Sequence, residues 1–152
     1  MAILPILQTG DEILRKKSDR VERFDAELAN LLNDMRDTLK EAKGAGLAAP
    51  QIGVNKRIFL IDTEETGVVE FINPVILGVS GSQYGVEGCL SVKGLWGDVK
   101  RPRKVTVEAF DRYGKKFKMV ARDFPAKAIS HENDHLDGIL YIDKANNLRE
   151  EV

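Results

Sequence analysis

The run Ser130-His131-Glu132-Asn133-Asp134-His135-Leu136-Asp137-Gly138 constrains the chain more than any other stretch, because it holds the only two histidines. Positions four apart share one face of an α-helix, so on a helix His131 and His135 aim their rings at one point. Two converging imidazoles suit a borderline metal such as zinc or ferrous iron. Glu132, one position on, lies at the edge of that face. There it can act as a general base on a metal-activated water without becoming a ligand. Chance spacing on an ordinary amphipathic helix is the alternative, and Glu132 beside His131 counts against it. A complete site needs a third protein ligand, which another part of the chain must bring to this helix.

Cys89 is the only cysteine, so no intramolecular disulfide can form. A lone thiol is often just a small buried hydrophobe. A thiolate is also a strong ligand for zinc and ferrous iron, and the chain's whole stock of His and Cys makes one Cys-His-His site. A chain of 152 residues, 43% apolar, suits one globular domain over residues 1–152. A net charge of −1 offers no footprint for tight, non-specific nucleic-acid binding. Apolar runs such as Arg57–Ile61 are too short to span a bilayer. Met1–Pro5 lacks a basic leader with an apolar core, which leads us to expect a cytoplasmic enzyme.

Residues 1–10 read as extended up to a turn at Thr9-Gly10, and Asp11–Lys17 as a short helix. Asp25–Lys43 is a clear amphipathic helix with Asp25 as N-cap, Gly44 as its stop, and Leu28, Leu31, Leu32, Met35 and Leu39 on its apolar face. Gly44–Gln51 breaks the pattern with small residues and reads as a ligand-facing loop. Strands are expected at Arg57–Asp62 and Val68–Ile72, the latter closed by Asn73-Pro74 with Val75–Val79 continuing the sheet. Lys104–Phe110 and Phe117–Arg122 form a hairpin through the turn Asp111–Gly114. The last helix starts near Asp123-Phe124-Pro125 and stops at Gly138. Tyr141–Asp143 forms a short segment, and the polar tail Asn146–Val152 is expected to fray. The fold class is α+β, with mostly antiparallel sheets around the helix that carries His131 and His135.

Three stretches now stand in order: Gly44-Ala45-Gly46-Leu47-Ala48-Ala49-Pro50-Gln51, Glu87-Gly88-Cys89-Leu90-Ser91, and His131-Glu132-Asn133-Asp134-His135. Together with Ile6–Leu14 they resemble the peptide deformylases, which remove the formyl group from the N-terminal methionine of new bacterial proteins. The resemblance covers nearly the whole chain and is to compact members without a large insertion before the cysteine motif. It implies that Cys89, His131 and His135 are the metal ligands and that Glu132 is the acid/base. It further implies that the Gln51 amide and the Leu90 N–H receive the oxyanion. The implied metal is one divalent ion, Fe2+ in the cell, with Zn2+, Ni2+ or Co2+ as replacements. N-formyl-methionyl nascent peptides are the implied partners, their backbone lying along Gly44, Ala45 and Gly46 and their methionine in a pocket of Ala45, Phe124 and Ala128. The resemblance also implies that Arg101 matches a family arginine that braces the cysteine loop, here through Glu87.

Two positions depart from the family's pattern: Ser130 stands where Gln is common, and Lys93 where Pro is common. The short C-terminal tail leaves ribosome docking as a transient contact. Val99–Lys104 reads as a solvated strand segment in preference to an RNA contact. Asp134 and Asp137 are expected to face solvent, and the protein to be a monomer. A metalloprotease is disfavoured: Gly138 fits the longer metzincin pattern, but Tyr141 stands where its last histidine is needed. A non-catalytic family member is also disfavoured, because Glu132 is retained.

Overall fold

The computed structural model describes residues 2–150. Asp25 caps the first helix, Ala26–Ala42 (α1), by accepting a hydrogen bond from the Leu28 N–H, one of the donors a helix start leaves unpaired. Leu28, Leu32, Met35 and Leu39 are buried along one face at the expected spacing. The stop differs by one residue: Lys43, not Gly44, turns left-handed (φ 55°) and donates its N–H to the Leu39 and Lys40 carbonyls. Gly44 packs closely on leucine side chains: a Cβ there would lie 2.9 Å from Leu90 Cδ1, so that side chain would have to shift.

Gly44–Gln51 is not a plain loop. Gly46–Ala48 forms a short strand (β1), and Ala49–Ile52 a 3-10 turn. β1 pairs with Ile58–Thr63 (β2), which pairs with Gly67–Ser80 (β3). The alternating strands Lys104–Phe110 (β6) and Lys116–Arg122 (β7) complete an antiparallel five-stranded sheet of order β1-β2-β3-β6-β7. Asn73 does not end β3 but bends it: with φ 51°, its side chain accepts from the Val21 N–H and donates to the Val21 carbonyl. Val75–Ser80 then pairs with β6 alone.

Residues 83–101 carry no clear side-chain period in the sequence. They form two long strands, Gln83–Cys89 (β4) and Val92–Arg101 (β5), joined at Leu90-Ser91. Nor does the whole tail fray: Asn146–Glu150 (β8) adds to β5, with Trp96 opposite Arg149 and Asp98 opposite Asn146. The Arg149 guanidinium on Asp98 reinforces a pairing that backbone hydrogen bonds can make without any apolar pattern. Residues 151 and 152 lie outside the described segment.

The second helix, Phe124–Leu136 (α2), lies on the five-stranded sheet. Pro125 occupies its first turn, and Gly138 (φ 74°) follows its end. The Leu136 carbonyl accepts from both the Ser18 N–H and Arg57. Ala126, Ile129 and Leu136 pack with Phe59, Ile61, Phe71, Val105 and Val107 on this face. Ile58, Leu60 and Ile72 face the other way, against Leu32, Met35 and Leu39 of α1. Burial on both faces is why β2 reads as an unbroken apolar run. The architecture is the expected α+β fold, with antiparallel sheets around the helix of the His-Glu-x-x-His run. Among the described residues, no helix is long and apolar enough to cross a membrane.

Candidate metal centre

α2 presents His131 and His135 one turn apart, with ring centroids separated by 5.3 Å. β4 delivers Cys89 to the same point, where its Sγ lies 3.4 Å from His135 Nε2. One ligand atom from each of the three residues falls within 4.8 Å of the others. Ligands bound tetrahedrally at about 2.0–2.3 Å stand roughly 3.3–3.8 Å apart, so only a small contraction separates this cluster from a closed site. Two imidazole nitrogens and one thiol sulfur, with no ligating carboxylate among them, fit a divalent transition metal. They leave one position of a tetrahedron unclaimed by protein.

The electrostatics point the same way. Burial disfavours charge on His131, but the Cys89 sulfur and Glu87 carboxylate beside it prevail and push its pKa up to about 10. His135 goes in the opposite direction, held well below the usual imidazole range by burial and then by the His131 charge. The cluster therefore attracts one positive charge, which a proton or a metal can supply. Glu87 accepts a 2.8 Å hydrogen bond from His131 Nδ1. That bond fixes the tautomer and leaves Nε2 as the ligating nitrogen. Burial would raise the Glu87 carboxyl, yet His131 and Arg101 hold it at about 2.

Arg101 is buried and clamps both Glu87 oxygens at 2.9 Å, with Asp134 on its other side at 2.7 Å. The expected Arg101–Glu87 brace is thus present in the geometry. Asp134, expected in solvent, is instead enclosed between Arg101 and Lys144. On a helix it sits three residues after His131, so the face that points His131 inward takes Asp134 with it. Asp137 is half-exposed and pairs with Arg57. Arg101 is consumed by these contacts and Val99 is buried, so Val99–Lys104 is the end of β5 and its turn into β6, with Lys100 and Arg103 exposed.

Glu132 is buried against Gly46, and its Oε1 has no hydrogen-bond partner. Burial, with Glu87 adding to it and His131 opposing, pushes its pKa up to about 7. Gln51 is held by its carbonyl oxygen, which accepts from the Ala48 N–H, while its Nε2 donates to Ser91 Oγ at 3.0 Å. The same Nε2 lies 3.7 Å from Cys89 Sγ. Ser91, fully buried, had no signal in the sequence beyond its place in the cysteine motif. Tyr141 stacks near His131 at 6.1 Å and donates its hydroxyl to the Leu95 carbonyl, so it buttresses a histidine where the metzincin pattern would place a ligand.

A cavity of about 600 Å³ opens beside this cluster. Gly44, Ala45 and Gly46 line one wall, Phe124 and Ala128 another, and Leu90 the cysteine side, with His131, Glu132, Cys89 and Gln51 at the cluster. His135 lies behind them and does not line the cavity.

Residues 3–151 match the family model for polypeptide deformylase. The chain belongs to that family. A peptide deformylase of Caldicellulosiruptor bescii is 56% identical over 144 residues, covering 95% of this chain and 86% of the relative. The crystal structure of a peptide deformylase from Legionella pneumophila superposes with a TM-score of 0.92 at 44% identity, covering 96% of this chain and 88% of that one. A Met-Ala-Ser-bound peptide deformylase from Acinetobacter baumannii gives 0.92 at 32% identity, covering 95% and 100%. Membership makes the chain a metal-dependent hydrolase of protein biosynthesis, the activity implied by its three motifs.

Proposed function

We propose that the whole chain is one catalytic domain that removes the formyl group from N-formyl-methionyl peptides at the Cys89-His131-His135 centre, with Fe2+ as the cellular metal. The observation that carries this reading is Glu132, a buried carboxylate with one unpaired oxygen beside three converging ligand atoms. A bound divalent ion would lower the pKa of a water and polarise the formyl carbonyl.

The protein's own groups do the rest. Glu132 takes the proton from the attacking water, and its pKa, raised toward neutrality by burial, suits a base at cellular pH. The Gln51 amide, oriented through Ala48 and Ser91, and the Leu90 N–H receive the charge that develops on the formyl oxygen. Glu132 then returns its proton to the departing amine, and formate leaves. Ala45, Phe124 and Ala128 receive the methionine side chain. The peptide backbone lies along Gly44–Gly46, where β1 is paired on one edge only. Nascent peptides are the substrates, met in the cytoplasm through transient ribosome contact. The protein acts as a monomer in this reading.

The test is formate release from formyl-Met-Ala-Ser by anaerobically prepared, metal-replete protein, beside Glu132→Ala. Release by the wild type, a fall of at least about 100-fold in the variant and iron as the recovered metal are expected. No release at one bound metal per chain would overturn the assignment of this substrate.

A further inference from the structure

Three lysines stand around the cavity, and the chemistry above uses none of them. Lys43 comes from the end of α1, Lys93 from the start of β5 and Lys127 from α2, and all three line the cavity wall. Lys43 and Lys93 are exposed. Lys127 directs its Nζ to the Val86 carbonyl at 2.9 Å and stands 5.9 Å over the Phe124 ring. None of the three forms an ion pair among the described residues. Among the described residues, the only acidic side chains lining the cavity are Glu87 and Glu132. Both are buried, and Glu87 is ion-paired with Arg101. The accessible rim is thus cationic on a chain whose net charge is −1. The positive potential belongs to the site and not to the molecule.

We propose that Lys43, Lys93 and Lys127 make the site select formyl-methionyl chains whose second and third residues are acidic over those with basic residues there. The inference rests on the deformylase reading. A peptide laid beside β1 is extended, so successive side chains point to opposite walls. Cations carried by three separate elements let a carboxylate on either wall find a partner. An exposed ion pair is worth only a few-fold in binding. At about 1.8-fold each, near the lower end of that range, two favourable charges set against two unfavourable ones give about a tenfold ratio at low salt. The preference enters mainly through KM, because the attraction acts on bound substrate and transition state alike.

Three C-terminally amidated substrates test this: formyl-Met-Glu-Glu-Ala, formyl-Met-Gln-Gln-Ala and formyl-Met-Lys-Lys-Ala. The expected kcat/KM ratio of the Glu to the Lys peptide is about ten at low ionic strength. It should approach one near 0.5 M salt, where the screening length falls to roughly 4 Å. In Lys43→Gln/Lys93→Gln the low-salt ratio drops to about two or three, and Lys93→Glu lowers it further. A wild-type ratio of one or less, or a ratio unmoved by both salt and the double substitution, overturns the inference. Failure to release formate from the Gln peptide would instead overturn the deformylase reading, and the inference with it.

Discussion

Gly46 shows how much of the centre rests on single atoms. A Cβ at this position would lie 2.5 Å from Glu132 Oε2 and 2.7 Å from its Cγ, so the carboxylate keeps its place only because residue 46 has no side chain. Gly46 does not have a positive φ, so close approach alone demands glycine here. Gly46→Ala is expected to cut kcat about 100-fold or more, since misplacing a catalytic group by about 1 Å has that effect. Overpacking should cost about 1–3 kcal/mol of stability, leaving the fold intact. Circular dichroism, urea unfolding and formate release on one preparation separate the two effects. Wild-type turnover in the variant would show that Glu132 can reposition freely.

Among the elements, the apolar junction of α1 with the five-stranded sheet is pinned at its edge by one carboxylate. Glu70 of β3 receives Arg36 from α1 at 2.6 Å and Arg112 from the β6–β7 turn at 3.0 and 2.6 Å. Burial alone would raise the Glu70 carboxyl, but the two guanidiniums outweigh it and hold its pKa below the usual 4.5. Above that value both folded and unfolded chains are ionised, and the stabilisation is fully present. As pH falls below it, the unfolded chain takes up its proton first, so the stabilisation is lost progressively through the lower folded value. Glu70→Gln is expected to lose about 2 kcal/mol at neutral pH, a figure discounted for the exposed Arg36. Its deficit relative to wild type should shrink below about pH 4.5 in urea unfolding. A constant deficit from pH 7 to about pH 3 would remove the ion cluster as its cause.

For the whole molecule, the centre is a junction between the two sheets, beside the buried Arg101 cluster that also joins them. Cys89 belongs to the β4-β5-β8 sheet, whereas His131 and His135 ride on a helix packed on the other sheet. The N-terminal segment ties the remaining motifs together: the Leu7 N–H donates to the Gln51 carbonyl, Thr9 to Ser91, and the Gln8 amide to Leu90. A metal that binds only the folded arrangement should therefore stabilise it, by about 2.7 kcal/mol at one hundred times its dissociation constant. Chelation is expected to lower the thermal midpoint, and added Zn2+ to restore it in wild type but not in Cys89→Ser. An unchanged midpoint on chelation would mean that no metal was bound to the folded chain, or that the unfolded chain binds it as tightly.

The sequence by itself determined the elements whose side chains follow a period: the α1 face, β2, the β6–β7 hairpin and the histidine-bearing helix. It also supplied the family's three motifs, since each keeps its chemistry within a few consecutive residues. What escaped it was set by backbone or by partners distant in the chain. β8 is polar but for an exposed Leu148 and joins β5 by main-chain hydrogen bonds, and Gly94 and Gly97 interrupt the side-chain pattern of β5. Asp134 looked like an ordinary exposed helix acid until Arg101, from another sheet, enclosed it. The lysine rim likewise exists only because α1, β5 and α2 end around one cavity. Local pattern fixes which face an element buries. Only tertiary structure decides which charges meet, because Coulomb and hydrogen-bond partners are chosen by distance in space and not along the chain.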